Sequence, residues 1–225
     1  MQFNHVNTID GARVITPLNT MLRNTYMLLS LTLMFSAATA YFAVISNAGF
    51  MGSLVSSVVA FGFLFVISKT RNTAFAIAAA FIFTGLMGYA MGPMLNHYIR
   101  GYSNGGQLIM TALGGTGLTF LLSSGYILVT KKDLSNMGKF LMVGLVVCIV
   151  ASLGNLFFKM PAIQLAVSSM MVFISTMLMM YDTSRIVNGG QTNYVMATVS
   201  LYLDILNLFQ NLLYLLAAFS GNNRN

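Results

Sequence analysis

The chain has 225 residues, of which 57% are hydrophobic and only 7% charged, with a formal net charge of +7. A soluble domain of this length carries roughly a quarter charged residues, so the composition excludes a soluble domain of any size and points to one membrane-embedded domain. The eleven Lys and Arg residues are scattered through the gaps between apolar runs and never cluster with aromatics, which excludes a nucleic-acid partner despite the positive balance.

The first twenty residues include Asn4, His5, Asp10, Arg13 and Pro17, and no apolar run begins before Arg23. They read as a polar cytoplasmic tail over 1–22 rather than a secretory signal. A helical span needs about 20 mostly apolar residues to cross about 30 Å of hydrocarbon. Seven segments qualify, near 24–45, 48–68, 73–95, 107–130, 137–158, 162–182 and 196–219. They are too long for barrel strands and show no alternation, so the expected fold is an all-α bundle of seven transmembrane helices over 23–220, with a short tail at 221–225. The gaps carry turn signals such as Ser46-Asn47, Asp133 to Asn136 and Asn188-Gly189-Gly190. The first two runs are separated by the fewest residues, which leaves a re-entrant pair as the alternative there.

With the N-terminus in the cytoplasm, that side receives Arg13, Arg23, Lys69, Arg71, Lys131, Lys132, Lys139 and Arg185. The opposite side receives Arg100, Lys159 and Arg224. This bias sets the expected orientation, with the C-terminus on the far side of the membrane. Small residues let helices approach closely in lipid. Gly88 and Gly92 on the third span, and Gly114, Gly115, Gly117 and Gly125 on the fourth, are therefore read as packing positions.

There is no Glu, and the four acidic residues are Asp10, Asp133, Asp182 and Asp204. Asp10 lies in the tail and Asp133 in a loop. Asp182 ends the sixth apolar run and Asp204 lies inside the seventh. A carboxylate at membrane depth costs about 2.5–3.5 kcal/mol on insertion scales and marks a functional site by default. Ser200, Asp204, Asn207, Asn211 and Tyr214 recur at steps of four and three, one stripe on one helical face. Gln164, Ser168, Ser175 and Asp182 do the same on the sixth span. Antiparallel neighbours bearing these stripes bring the two carboxyls together if the last helix starts within the cytoplasm, as polar Gln191, Thr192 and Asn193 suggest.

Two adjacent carboxyls cannot both ionise cheaply, so they titrate as a unit. Sharing a proton holds two helices together, and losing it drives them apart. The pair also offers hard oxygens suited to transient Ca²⁺ contact. Arg185 opposes repulsion by stabilising a carboxylate, and Lys69 and Arg71 lie on the same side of the membrane. The same stripe also fits a purely structural role as interhelical glue.

Other residues carry less. Cys148 is alone, which excludes an internal disulfide and any Cys-based metal site, and it reads as a packing residue. His97 reads as interfacial, in an outward loop after Pro93, and His5 belongs to the tail. The methionines of the sixth span come as adjacent pairs pointing in different directions, unlike a copper path. Ser123 and Ser124 have no base beside them, so a hydrolase triad is not expected. Tyr181-Asp182 gives half of an intramembrane aspartyl protease signature, but no glycine precedes Asp204. Neither enzymatic activity nor a cofactor is expected.

The segments YDTSRIV from Tyr181 and LYLDILNLFQNLL from Leu201 resemble the C-terminal signature of the Bax inhibitor-1 family. KKDLSNMG from Lys131 resembles the loop after that family's fourth span, and LRNTYMLLSLTLMFSA from Leu22 and GPMLNHY from Gly92 are similar to its proteobacterial branch. The resemblance covers about residues 20–220. It implies a bundle built around a central C-terminal helix, with Asp182 and Asp204 at a paired-aspartate pH sensor and a slow Ca²⁺ leak as the activity. The proteobacterial branch implies a bacterial inner-membrane protein that modulates an FtsH-type membrane protease. Some members place an arginine at the end of the second span; here that region reads Ser68-Lys69-Thr70-Arg71. Between leak and protease modulation, the intact aspartate pair favours the leak, because a pure binding protein has no need of it.

Overall fold

The computed structural model describes residues 18–70 and 73–221. Asp10, Arg13, His5, Arg71 and Arg224 lie outside the described residues. Eight α-helices follow in order: α1 (Leu18–Ile45), α2 (Phe50–Lys69), α3 (Thr73–Ala90), α4 (Gly92–Gly101), α5 (Gly105–Thr130), α6 (Gly138–Phe158), α7 (Pro161–Val187) and α8 (Tyr194–Ser220). With α3 and α4 running as one span, seven segments are long and apolar enough to cross a membrane. The fold is an all-α polytopic bundle.

The first turn falls where the sequence places it, and two later boundaries differ from expectation, each for a local reason. The first two runs are separate helices, because Asn47 takes the left-handed conformation (φ 54°) and turns the chain in a few residues. The third span is longer than expected and breaks at Met91. Pro93, which has no backbone N–H to give, sits in the first turn of a new helix, so the chain restarts there. His97 is thus an exposed residue of α4 rather than part of a loop. The sixth span continues to Val187, which puts Asp182 inside α7 and not at its end.

α8 is the axis of the bundle. It packs on α1, α2, α3, α5 and α7, while α6 stands at the periphery against α7. Its start is fixed by Asn193, whose side-chain oxygen accepts from the backbone N–H of Val195 (2.9 Å) and Met196 (3.2 Å). Tyr202, fully buried on α8, reaches across the core. Its hydroxyl donates to the Thr84 carbonyl on α3 (3.2 Å) and shares a 2.7 Å hydrogen bond with Ser36 on α1, while its ring meets Phe83 edge-on. One side chain therefore ties three helices together at a depth where water cannot satisfy a stray hydroxyl.

The glycine expectation holds in part. A Cβ at Gly88 would run into the Ser36 carbonyl and the Thr39 hydroxyl on α1, and one at Gly92 would meet Ala43, so both mark close α1–α3/α4 contact. Gly115 approaches Leu212, but Gly114, Gly117 and Gly125 face open space. These three lie on the part of α5 turned away from its neighbours. Phe50, Phe65, Val129 and Phe157 are likewise exposed. In a soluble protein they would be a liability, and here they are the surface offered to lipid.

The carboxyl pair between α7 and α8

α7 and α8 form the most extensive helix pair in the bundle, joined by a short polar turn. Within that turn Gly189 adopts φ 75°, and the Gln191 N–H donates to the Arg185 carbonyl at 3.0 Å. The tight connection holds the C-terminal end of α7 against the first two turns of α8. Extension of α7 to Val187 and the early start of α8 at Tyr194 together bring Asp182 and Asp204 into register.

The two carboxyls are close enough to act on each other electrostatically. Their surroundings differ. Asp182 faces Arg185 one turn along its own helix, with Nη1 3.9 Å from Oδ1. Arg185 also lies over the Tyr181 ring at 5.6 Å. Asp204 is 7% exposed, and its Oδ2 is buried without a hydrogen-bond partner. One carboxyl therefore has a cation beside it, and the other has no cation but its neighbour's carboxyl. An ionised group in the second position is costly.

The residues of the two polar stripes have different surroundings. Ser168 and Ser175 are fully buried on α7, and neither hydroxyl has a partner. On α8, Asn207 and Asn211 are half-buried, and the Asn211 amide donates to the Asn207 carbonyl at 2.8 Å. Gln164, at the far end of α7, accepts from the Asn155 amide of α6 at 3.2 Å and so belongs to a different contact. Lys69 is not brought to the carboxyls: its ammonium sits 4.3 Å from the Phe65 ring centre on its own helix. Among the described residues no group of three or more His, Cys, Asp or Glu forms a metal cage.

Sequence reasoning missed the residues that hold the site in place. Thr183 and Ser184, directly after Asp182, are both fully buried. The Thr183 hydroxyl shares a 3.2 Å hydrogen bond with Ser124 of α5. The Ser184 hydroxyl donates to the Lys132 carbonyl and accepts from the Leu134 N–H, both at 2.9 Å. These bonds pin the 131–134 loop to the end of α7. In the same loop Asp133 accepts from the hydroxyl and the N–H of Ser135, which hold its carboxyl below the usual carboxylate range. The signal was present: hydroxyl residues beside a buried acid in a segment flanked by Tyr181 and Arg185. Ser184→Ala is expected to cost ~1–3 kcal/mol, the penalty for an orphaned buried donor. Hydrogen exchange at the Leu134 amide is expected to quicken, while the amides of α8 keep their protection.

Fold and site together define a polytopic membrane protein whose last two spans enclose a carboxyl pair. The chain belongs to the Bax inhibitor-1 family: the family described as "Inhibitor of apoptosis-promoting Bax1" matches residues 18–221. A relative in Escherichia coli, the "Modulator of FtsH protease YccA", is 44% identical over 195 residues, covering 87% of this chain and 88% of its own. The same protein in a second Escherichia coli strain, with the same identity and coverage, carries the name "Inner membrane protein YccA". A Vibrio cholerae membrane protein is 44% identical over 206 residues, covering 91% of this chain and 92% of its own. The family and the relatives' names fit a regulatory membrane protein.

Proposed function

We propose that this chain is a regulatory protein of the bacterial inner membrane, with a cytoplasmic N-terminus, that modulates an FtsH-type protease, and that the Asp182–Asp204 pair sets its state. The observation that carries the role is the 44% identity to the modulator YccA across 87% of this chain. The pair supplies a physical switch for it. Protonated, the carboxyls keep α7 and α8 together; ionised, they repel within a buried interface and loosen it. Because α7 also anchors the 131–134 loop through Ser184, a loosened α7 changes the cytoplasmic face that a partner meets.

The test is co-reconstitution with the FtsH-type protease of the same membrane and a membrane substrate. Wild-type chain is expected to co-purify with the protease and slow degradation, with a pH dependence that Asp182→Asn/Asp204→Asn removes. No co-purification and an unchanged degradation rate would sink the reading.

A second reading, a slow calcium leak, is favoured by a separate observation. The unpartnered hydroxyls of Ser168 and Ser175 lie seven residues apart on the helical face that carries Asp182, and Oδ2 of Asp204 also lacks a partner. Buried polar groups left without partners are what a hydrated path needs when the helices part. Ca²⁺ flux into proteoliposomes from about pH 5 to about pH 8 decides it. A flux whose pH response disappears in the double Asn variant supports the leak. No flux above empty liposomes from folded protein ends it and leaves protease modulation standing alone.

A further inference from the structure

Away from the carboxyl pair, α1 and α5 do not close on each other. Between them lies a slot of about 370 Å³, backed by α4 and α8 and lined almost wholly by apolar side chains. Its three hydroxyl-bearing core residues, Ser36, Thr116 and Tyr202, sit at similar depth, and the Thr116 hydroxyl has no partner. We propose that this slot is a binding site for one acyl chain of a membrane phospholipid.

Length argues first. On α1 the wall runs from Leu33 to Val44, a rise of about 16 Å at 1.5 Å per residue. Val44 is the residue before the helix ends. The slot therefore reaches from one membrane interface to about the bilayer centre, the depth of one leaflet of a hydrocarbon core about 30 Å thick.

Width argues next. A cylinder as wide as a helix with its side chains, roughly 10 Å, and as long as the slot fills over ~1,000 Å³, well above the slot's volume. A second protein helix does not fit, whereas an extended hydrocarbon chain does. The slot opens to the bilayer past Tyr41 and Leu113, both more than half exposed. No water-filled route is needed to reach it.

Charge argues last. Arg100, exposed in the last turn of α4, directly follows the wall residue Ile99 at the interfacial end. A guanidinium there is placed for the phosphate of the lipid whose chain enters below it. The inner end of the chain abuts the Ser36–Tyr202 hydrogen bond that ties α1 to α8. Occupancy thus bears directly on how the central helix is held.

The test uses the full chain in proteoliposomes doped with an anionic phospholipid carrying a diazirine near its terminal methyl, with adducts mapped by mass spectrometry after photolysis. Adducts are expected to concentrate on the slot wall, at Leu33 and Leu113. Most of that signal is expected to disappear in Ala37→Phe, which fills the slot from an exposed position, and in Leu113→Phe should the first variant fold poorly. Arg100→Gln is expected to lower wall labelling. Adducts spread evenly over lipid-facing residues such as Phe65 and Phe157, and indifferent to Ala37→Phe, would overturn the proposal. So would cross-linking between two copies through Leu113→Cys in a Cys148→Ser background with no lipid adduct at the wall, which would assign the slot to a second copy of the chain.

Discussion

Asp204→Asn is expected to raise the midpoint of thermal unfolding at alkaline pH and to flatten its dependence on pH. Asp204 carries a buried oxygen with no hydrogen-bond partner, and it faces the carboxyl of Asp182. Each time both groups ionise, the folded bundle holds two like charges where water cannot screen them. On the proposed latch, the stability of the closed α7–α8 pair is present while at least one proton is shared and is lost as pH rises and that proton leaves. Asparagine keeps nearly the same shape and never ionises, so the loss does not occur. The asparagine amide can in addition donate to the Asp182 carboxylate, and a hydrogen bond to a charged group is worth ~1.5–3 kcal/mol, or several degrees at about 2–4 °C per kcal/mol for a chain of this size. Asp182→Asn is expected to do less, because Asp182 already has Arg185 beside it and Asp204 would keep its unpartnered oxygen. Thermal scans in detergent across pH, run on both single variants, check the asymmetry. Equal effects would mean that the two positions are interchangeable, contrary to their environments.

Gly88→Ala is expected to be strongly destabilising. The new methyl would overlap the Ser36 carbonyl and the Thr39 hydroxyl on α1, and backbone cannot swing aside as a flexible side chain can. Overpacking of this kind costs ~1–3 kcal/mol. It outweighs the gain of up to about 1 kcal/mol that alanine brings to a helix interior. The displacement would also reach the Ser36–Tyr202 bond, and with it the hold of α1 on the central helix. Gly114→Ala is the matched control. It sits inside α5 with nothing near its missing side chain, so helix propensity acts alone and the unfolding midpoint is expected to stay or rise.

The contrast between those two glycines shows where sequence stops being informative. Both are glycines within apolar helices, and spacing alone assigned both to packing. Only the neighbour across the gap distinguishes them, and a neighbour is a tertiary fact. The same holds for Tyr202, which reads in sequence as one more large residue of an apolar run and in the bundle joins α8 to α1 and α3. The spans themselves were legible because lipid imposes length and apolarity on every segment that crosses it. The carboxyl pair was legible for the complementary reason: in a chain with four acids and no Glu, two within apolar runs stand out. Misreadings came at helix ends. α7 continues past Asp182 to Val187 because the polar residues there bond to α5 and to the 131–134 loop instead of to water. Lys69 looked available to the acids by side of membrane, yet it rests on Phe65.

The carboxyl stretch in the infrared, followed through a pH titration of the reconstituted protein, tests the central claim most directly. With only four aspartates and no glutamate, the signal of each is assignable by single Asn variants. A latch made of two interacting carboxyls predicts two separated steps in the wild type. Asp182→Asn then moves the higher step, that of Asp204 beside an ionised neighbour, whereas Asp204→Asn keeps a neutral neighbour and leaves the lower step of Asp182 in place. If each variant simply deletes one step and leaves the other where it was, the two groups titrate independently and the latch is contradicted.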